Sequence, residues 1–264
     1  MTRAIAAEFR KFFTTRMWWG MAIGVFLAGA AFAALFALLD PTPEMTGGVD
    51  MPTLSDASRV RGVYTGGLSV SYLMTLAIGV MAIGAEYRHK TITSTFLATP
   101  RRARVMIAKV VSLIGIGAFY GIVSLVGSVS VGATIIAARG FSPFPDSSIW
   151  RTLGLSLLVL GVWALIGLGA GILIPNQVAA LLISIGVAWI VEPLLGLLIG
   201  SQSWGKSIAP YFPSNATTAA LDLGSASGLP GQVLSWWAGA LVLLGYAAIM
   251  TAIGTALTLR RDVS

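Results

Sequence analysis

The chain has 264 residues, 56% of them hydrophobic and only 10% charged, and its mean hydropathy is +0.85. Globular chains run nearer a quarter charged, so this composition excludes an ordinary soluble domain and makes lipid the fitting solvent. The formal net charge is +7 and cysteine is absent. The basic residues sit in short clusters between apolar runs and do not line one face, which argues against nucleic-acid binding, and neither a disulfide nor a thiolate metal site can be built.

Residues 1–16 come first. Ile5, Phe9, Phe12 and Phe13 share one helical face while Arg3, Arg10 and Lys11 can reach headgroups, which predicts an amphipathic interfacial helix on the cytoplasmic membrane surface. Apolar runs follow at about 17–39, 63–85, 106–137, 152–174, 178–200 and 233–259. Each can cross a hydrocarbon core about 30 Å thick, which takes roughly 20 helical residues. The first run has no small-residue cleavage site and is expected to stay in the mature protein. The expected fold is therefore an all-α integral membrane protein of six spans forming one transmembrane domain over 1–264.

Orientation follows from Lys and Arg. With the N-terminus inside, Arg3, Arg10, Lys11, Arg16, Arg88, Lys90, Arg101, Arg102, Arg104, Lys109, Arg260 and Arg261 are cytoplasmic, which is twelve of the 17 basic residues. Arg59, Arg61, Arg139, Arg151 and Lys206 are the five outside. Both termini are expected in the cytoplasm.

The third run carries no charge from Val110 to Ala138, so it must tilt, protrude or bend. Only Pro175, Asn176 and Gln177 separate the fourth and fifth runs, which predicts a tight helical hairpin. Small-residue spacings at Gly20 and Gly24, Gly117 and Gly121, and Gly167 and Gly171 allow close helix packing in lipid. The stretch 201–232 holds Trp204, Pro210, Tyr211, Phe212 and Pro213 and reads as an external or re-entrant segment.

Enzymatic motifs are weak. GSQSWGKS, from Gly200 to Ser207, satisfies the phosphate-loop pattern, but that loop needs a buried strand before it and a helix N-terminus after it, and here a span precedes and Pro210 and Pro213 follow. The single histidine, His89, cannot build a two-histidine metal site. The triplet Asn215, Ala216, Thr217 matches a glycosylation sequon and is treated as chance. One carboxylate falls inside a span: Glu192, between Trp189 and Pro193, at a depth that costs about 3 kcal/mol on insertion scales. It reads either as a structural residue at a kink or as part of a substrate path.

Two cytoplasmic stretches, AAEFRKFFTTRMWW before the first span and IGAEYRHKTITSTFLATPRRARVMIAKV between the second and third, resemble those of bacterial ABC type-2 exporter permeases, most of all the small permeases of actinobacterial type. The resemblance implies an amphipathic helix before six spans and a coupling helix in the loop 86–104 that docks on a separate ATPase subunit, the holder of ATP and Mg. It implies that Glu86, Arg88, Lys90, Thr91, Thr93, Thr95, Phe96, Thr99, Pro100 and Arg101 serve coupling, that the permease dimerises with itself or a paralogue, and that the chain is itself neither a catalyst nor a cofactor holder. A location in the bacterial cytoplasmic membrane, with lipid as the surrounding partner, goes with that reading. The alternatives are a secondary carrier, which would need intramembrane ionisable groups such as Glu192, and a non-transporting scaffold or immunity protein.

Overall fold

The computed structural model describes residues 1–39, 52–91, 102–200, 202, 204–223 and 234–260. All regular structure among them is helical: α1 (Thr2–Phe13), α2 (Met17–Leu38), α3 (Ala57–Thr65), α4 (Leu68–Arg88), α5 (Arg102–Ala138), α6 (Ser148–Leu173), α7 (Gln177–Gly186), α8 (Glu192–Gly200), α9 (Gly205–Ile208), α10 (Pro213–Ala220) and α11 (Trp236–Arg260). Among the described residues, six helices are long and apolar enough to cross a membrane: α2, α4, α5, α6, the continuous α7–α8 rod and α11. The protein is thus an all-α, multi-pass membrane protein, and an even number of spans puts both termini on one side.

The span boundaries follow local chemistry. The second apolar run is split into α3 and α4 at Gly66 and Gly67, because α2 crosses there: a Cβ on Gly67 would lie 2.7 Å from the Cα of Gly29. Span two therefore starts at Leu68, not at 63. The third span is the 37-residue α5, about 55 Å long at 1.5 Å per residue, so the uncharged run is met by protrusion beyond the core. The hairpin after α6 turns at 174–176, where Asn176 caps α7 by accepting hydrogen bonds from the N–H groups of Val178 and Ala179.

The core is organised around α6, whose residues from Val159 to Ile172 are nearly all buried. Glycines let its neighbours approach backbone to backbone. Gly79 on α4 faces the Ala164 carbonyl, Gly167 on α6 faces that of Leu76, and Gly117 on α5 faces Gly161. Of the spacings singled out above, Gly117, Gly121, Gly167 and Gly171 sit in such contacts and Gly24 touches the Met74 side chain, while Gly20 faces open space. On α2 a seam of Val25, Gly29, Ala33 and Ala37 is buried, with Gly29 against α5 at Ser124. The fifth span lies at the edge, with Leu182, Trp189, Leu197 and Leu198 among its exposed side chains.

At the end away from the termini, arginines serve as helix caps. Arg59 donates to the Phe36 and Leu39 carbonyls and Arg139 to that of Ala37, satisfying the C-terminal carbonyls of α2. Tyr64 on α3 donates to the Pro143 carbonyl, and burial pushes its hydroxyl up to about 12. These residues set topology by charge and also close that end of the bundle.

Candidate functional site

Among the described residues, two sites built around buried carboxylates interrupt the apolar bundle. The first lies where α1 meets the stem formed by the end of α4 and the start of α5. The aromatic face of α1 packs on α5: Phe9 touches Gly115, and Phe12 and Phe13 make edge contacts with Tyr120 and Phe119. The other flank of α1 carries Glu8 and Lys11, one helical turn apart. Lys109, on α5, is buried to 1% side-chain exposure and pairs with Glu86 Oε1 and Glu8 Oε2, each at 2.8 Å. Its remaining donor reaches the Ala82 carbonyl at 3.3 Å, so all three ammonium protons are used. Lys11 closes the ring, at 2.6 Å from Glu8 Oε1 and 2.8 Å from Glu86 Oε1.

This quartet is charge-balanced, two carboxylates against two ammoniums, which is what permits burial beside an apolar bundle. Burial alone would raise the Glu8 carboxyl, but Lys109 and Lys11 outweigh it and hold the group below its ordinary range. Burial likewise opposes the Lys11 charge, and Glu8 and Glu86 reverse that and raise it. The second Glu86 oxygen is buried without a hydrogen-bond partner.

Of the residues expected to couple to an ATPase, Glu86 is thus turned inward, into the stem. Arg88, Lys90 and Thr91 are exposed at the tip of α4, where Lys90 adopts a left-handed φ of 55° that ends the helix. Thr93, Thr95, Phe96, Thr99, Pro100 and Arg101 lie outside the described residues. Lys11 and Lys109 were legible only as charges fixing topology or, for Lys11, touching headgroups, and Glu8 was not singled out. The i, i+3 pair Glu8 and Lys11 was the available signal.

The second site surrounds Glu192. The fifth span widens into a π-helical turn over Val187–Val191, and Glu192 follows directly. Its side chain is 9% exposed and Oε1 accepts a hydrogen bond from the Ser214 N–H. That N–H is one of the free donors at the start of α10, whose N-cap Phe212 offers no side-chain acceptor, so Glu192 caps α10 from another helix. Further along α10, Thr217 accepts a hydrogen bond from Trp163 Nε1 at 3.0 Å. Trp163 stacks on Tyr72 with ring centroids 4.4 Å apart. No cation among the described residues pairs with the Glu192 carboxylate.

Within the segment expected to be external or re-entrant, 201–232, α10 packs into the bundle, with Ala216, Thr217, Ala219 and Ala220 buried, while Trp204, Ile208 and Tyr211 before it are exposed. Just after α10, Asp222 lies 2.7 Å from Arg151 and 3.7 Å from Arg61. Gly205 of the phosphate-loop pattern is buried against the Ile199 carbonyl after helix α8, and no strand precedes it among the described residues.

An open apolar groove of about 620 Å³ lies between α5, α6 and α11, lined by Val110, Leu165, Leu244, Ala247, Ala248 and Thr251 among others. It begins on the same turn of α11 that carries Tyr246. Among the described residues no group of three or more histidine, aspartate or glutamate side chains is placed to hold a metal ion. No protein-family model matches this chain, and no curated protein matches it in sequence.

Proposed function

We propose that this chain is the membrane-spanning permease subunit of an ATP-driven exporter in the bacterial cytoplasmic membrane, working with a separate ATPase subunit that carries ATP and Mg. The observation that carries the reading is the Glu8–Lys11–Glu86–Lys109 quartet. It fastens the N-terminal helix to both helices flanking the 92–101 segment, the stretch that resembles a coupling loop.

A force delivered to that loop by a nucleotide-driven partner would move a rigid stem, and α5, running the whole height of the bundle, would carry the displacement to its far end. Alternating access requires the partner to bind the two conformations with different free energies, and a stiff stem converts that difference into helix movement. The exposed Arg88, Lys90 and Thr91 supply the rim of the docking surface. Dimerisation, with itself or a paralogue, belongs to the same reading, because the fifth span has few neighbours within one chain.

The test is purification of the tagged chain from its native host in mild detergent, with mass identification of what accompanies it and a vanadate-sensitive ATPase assay. A stoichiometric nucleotide-binding subunit with ATPase activity is the expected result. A chain recovered alone and inactive would overturn the reading and favour a secondary carrier, for which the buried Glu192 is the specific observation.

A further inference from the structure

Arg61 is a buried guanidinium with few partners. It lies on α3, at the end of the bundle away from the termini, and is 8% exposed. Of its five N–H donors, one meets the Ser148 hydroxyl at 2.7 Å. Its Nε is buried without a hydrogen-bond partner. The carboxylate oxygen Asp222 Oδ2 stands 3.7 Å from Arg61 Nη2, beyond hydrogen-bond reach. That same oxygen is taken at 2.7 Å by Arg151, whose own Nε is also buried and unpartnered. Two guanidiniums thus share one carboxylate.

Bracing α3 against α6 does not account for this arrangement. The Ser148 contact needs one donor, which an amide supplies without a charge. A guanidinium stays ionised at every relevant pH, and burying it half-paired is costly. Asp56 and Asp146, the other described acids of the loops at this end, are exposed and bonded within their own turns to Thr53 and Ser147, so water screens them. The two arginines are left with one uncompensated positive charge.

Their place in the bundle says which anion fits. The Arg151 guanidinium lies over the Trp236 ring at 5.0 Å, and Trp150 and Trp237, next to them in sequence, are exposed. Indoles of this kind mark the membrane interface, the level at which lipid phosphates lie. Because both Nη2 atoms approach one oxygen, they are no farther apart than the sum of those two distances. Two oxygens of a single phosphate, each accepting a hydrogen bond of about 2.8 Å, span such a gap, and basic pockets between spans bind anionic headgroups.

We propose that Arg61 and Arg151, flanked by Trp236, bind the phosphate of an anionic phospholipid in the leaflet away from the termini. The site does not depend on the exporter reading, and its occupation needs no ATPase, so each stands or falls alone.

The experiment is native mass spectrometry of the delipidated full-length chain, titrated with phosphatidylglycerol and with phosphatidylcholine of the same acyl chains. The parent chain is expected to prefer phosphatidylglycerol. Arg61→Gln keeps a donor for Ser148 and removes the charge. It is expected to weaken phosphatidylglycerol binding at least about tenfold and to leave phosphatidylcholine binding unchanged. Asp222→Asn removes the competing carboxylate and is expected to tighten phosphatidylglycerol binding about threefold or more. The basic residues at the opposite end are common to parent and variants, so the differences belong to this site.

No lipid preference in the parent, parent-like affinity in Arg61→Gln, or equal or weaker binding in Asp222→Asn overturns the proposal and leaves the arginines as braces. Displacement of the lipid by an equal concentration of inorganic phosphate would make the site one for a soluble phosphate and overturn the lipid assignment. Should Arg61→Gln lose its monodisperse state, Arg151→Gln at the more exposed position makes the same measurement. A selective loss of phosphatidylglycerol there supports the proposal, and no change overturns it.

Discussion

Lys109 and Glu86 are joined at 2.8 Å with the lysine only 1% exposed, and this contact ties the two helices that flank the 92–101 segment. Removing the lysine strands two carboxylates, since Glu8 also depends on it. Lys109→Met should destabilise the folded chain by about 3 kcal/mol, the lower end for breaking a buried pair, because Lys11 remains beside both acids. Lys11→Met, at a position half exposed to solvent, should cost under about 1 kcal/mol. Thermal unfolding followed by size-exclusion in detergent ranks the two variants, and equal costs would show that burial of Lys109 is not what makes the quartet strong.

The quartet also gives α1 a pH window. Glu8 sits below its ordinary value of 4.5 in the folded chain, so its contribution is fully present above that value and is lost as pH falls through the folded-state value. Lys11 sits above its ordinary value of 10.5, so its contribution is present below 10.5 and lost as pH rises further. Hydrogen exchange of α1 amides should therefore be slow and constant across neutral pH after correction for intrinsic rates, with protection falling first on the acid side below about pH 4. Lys109→Met should move that acid loss of protection upward, because the group that holds Glu8 ionised has gone.

The sequence states which face of a helix is apolar but not what covers it. Phe9, Phe12 and Phe13 mark the correct face of α1, and the cover proves to be α5 at Gly115, Phe119 and Tyr120. Spans are legible because charge vanishes for 20 residues at a time; the break at Gly66 and Gly67 is not, because hydropathy barely changes across two glycines. Glu192 stands out by its charge alone. Its partner Ser214 is 22 positions away, and no periodicity encodes a contact between a span and a helix of the following segment.

Close helix contact makes a further prediction at the α4–α6 crossing. A Cβ at Gly79 or Gly167 would meet the backbone of the opposite helix, which has no side chain to swing aside. Gly79→Val and Gly167→Val should each cost about 3 kcal/mol through overpacking, visible as loss of the monodisperse peak on size-exclusion. Gly245→Ala on α11, where nothing lies within 4 Å, should behave as the parent chain. Loss of the peak in Gly245→Ala as well would mean that the crossing distance is not the cause.

Asp222 anchors the end of α10 by reaching Arg151 and Arg61 from a left-handed backbone, φ 57°, a conformation that aspartate and asparagine tolerate better than most residues. Asp222→Asn keeps that backbone preference and removes the charge. Arg151 and Asp222 are both more than a third exposed, so the net cost should be under about 1 kcal/mol and salt-dependent. The local effect should be larger than the global one, because α10 then loses its charged anchor while its packing on α11 at Gly239 and its hydrogen bonds to Glu192, Trp163 and Thr152 keep the bundle together. Limited proteolysis between α10 and α11 should accelerate in Asp222→Asn with little change in the unfolding midpoint. Raising salt should bring the parent chain toward the variant's cleavage rate, and a salt-insensitive rate in the parent would assign the anchoring to the buried hydrogen bonds alone.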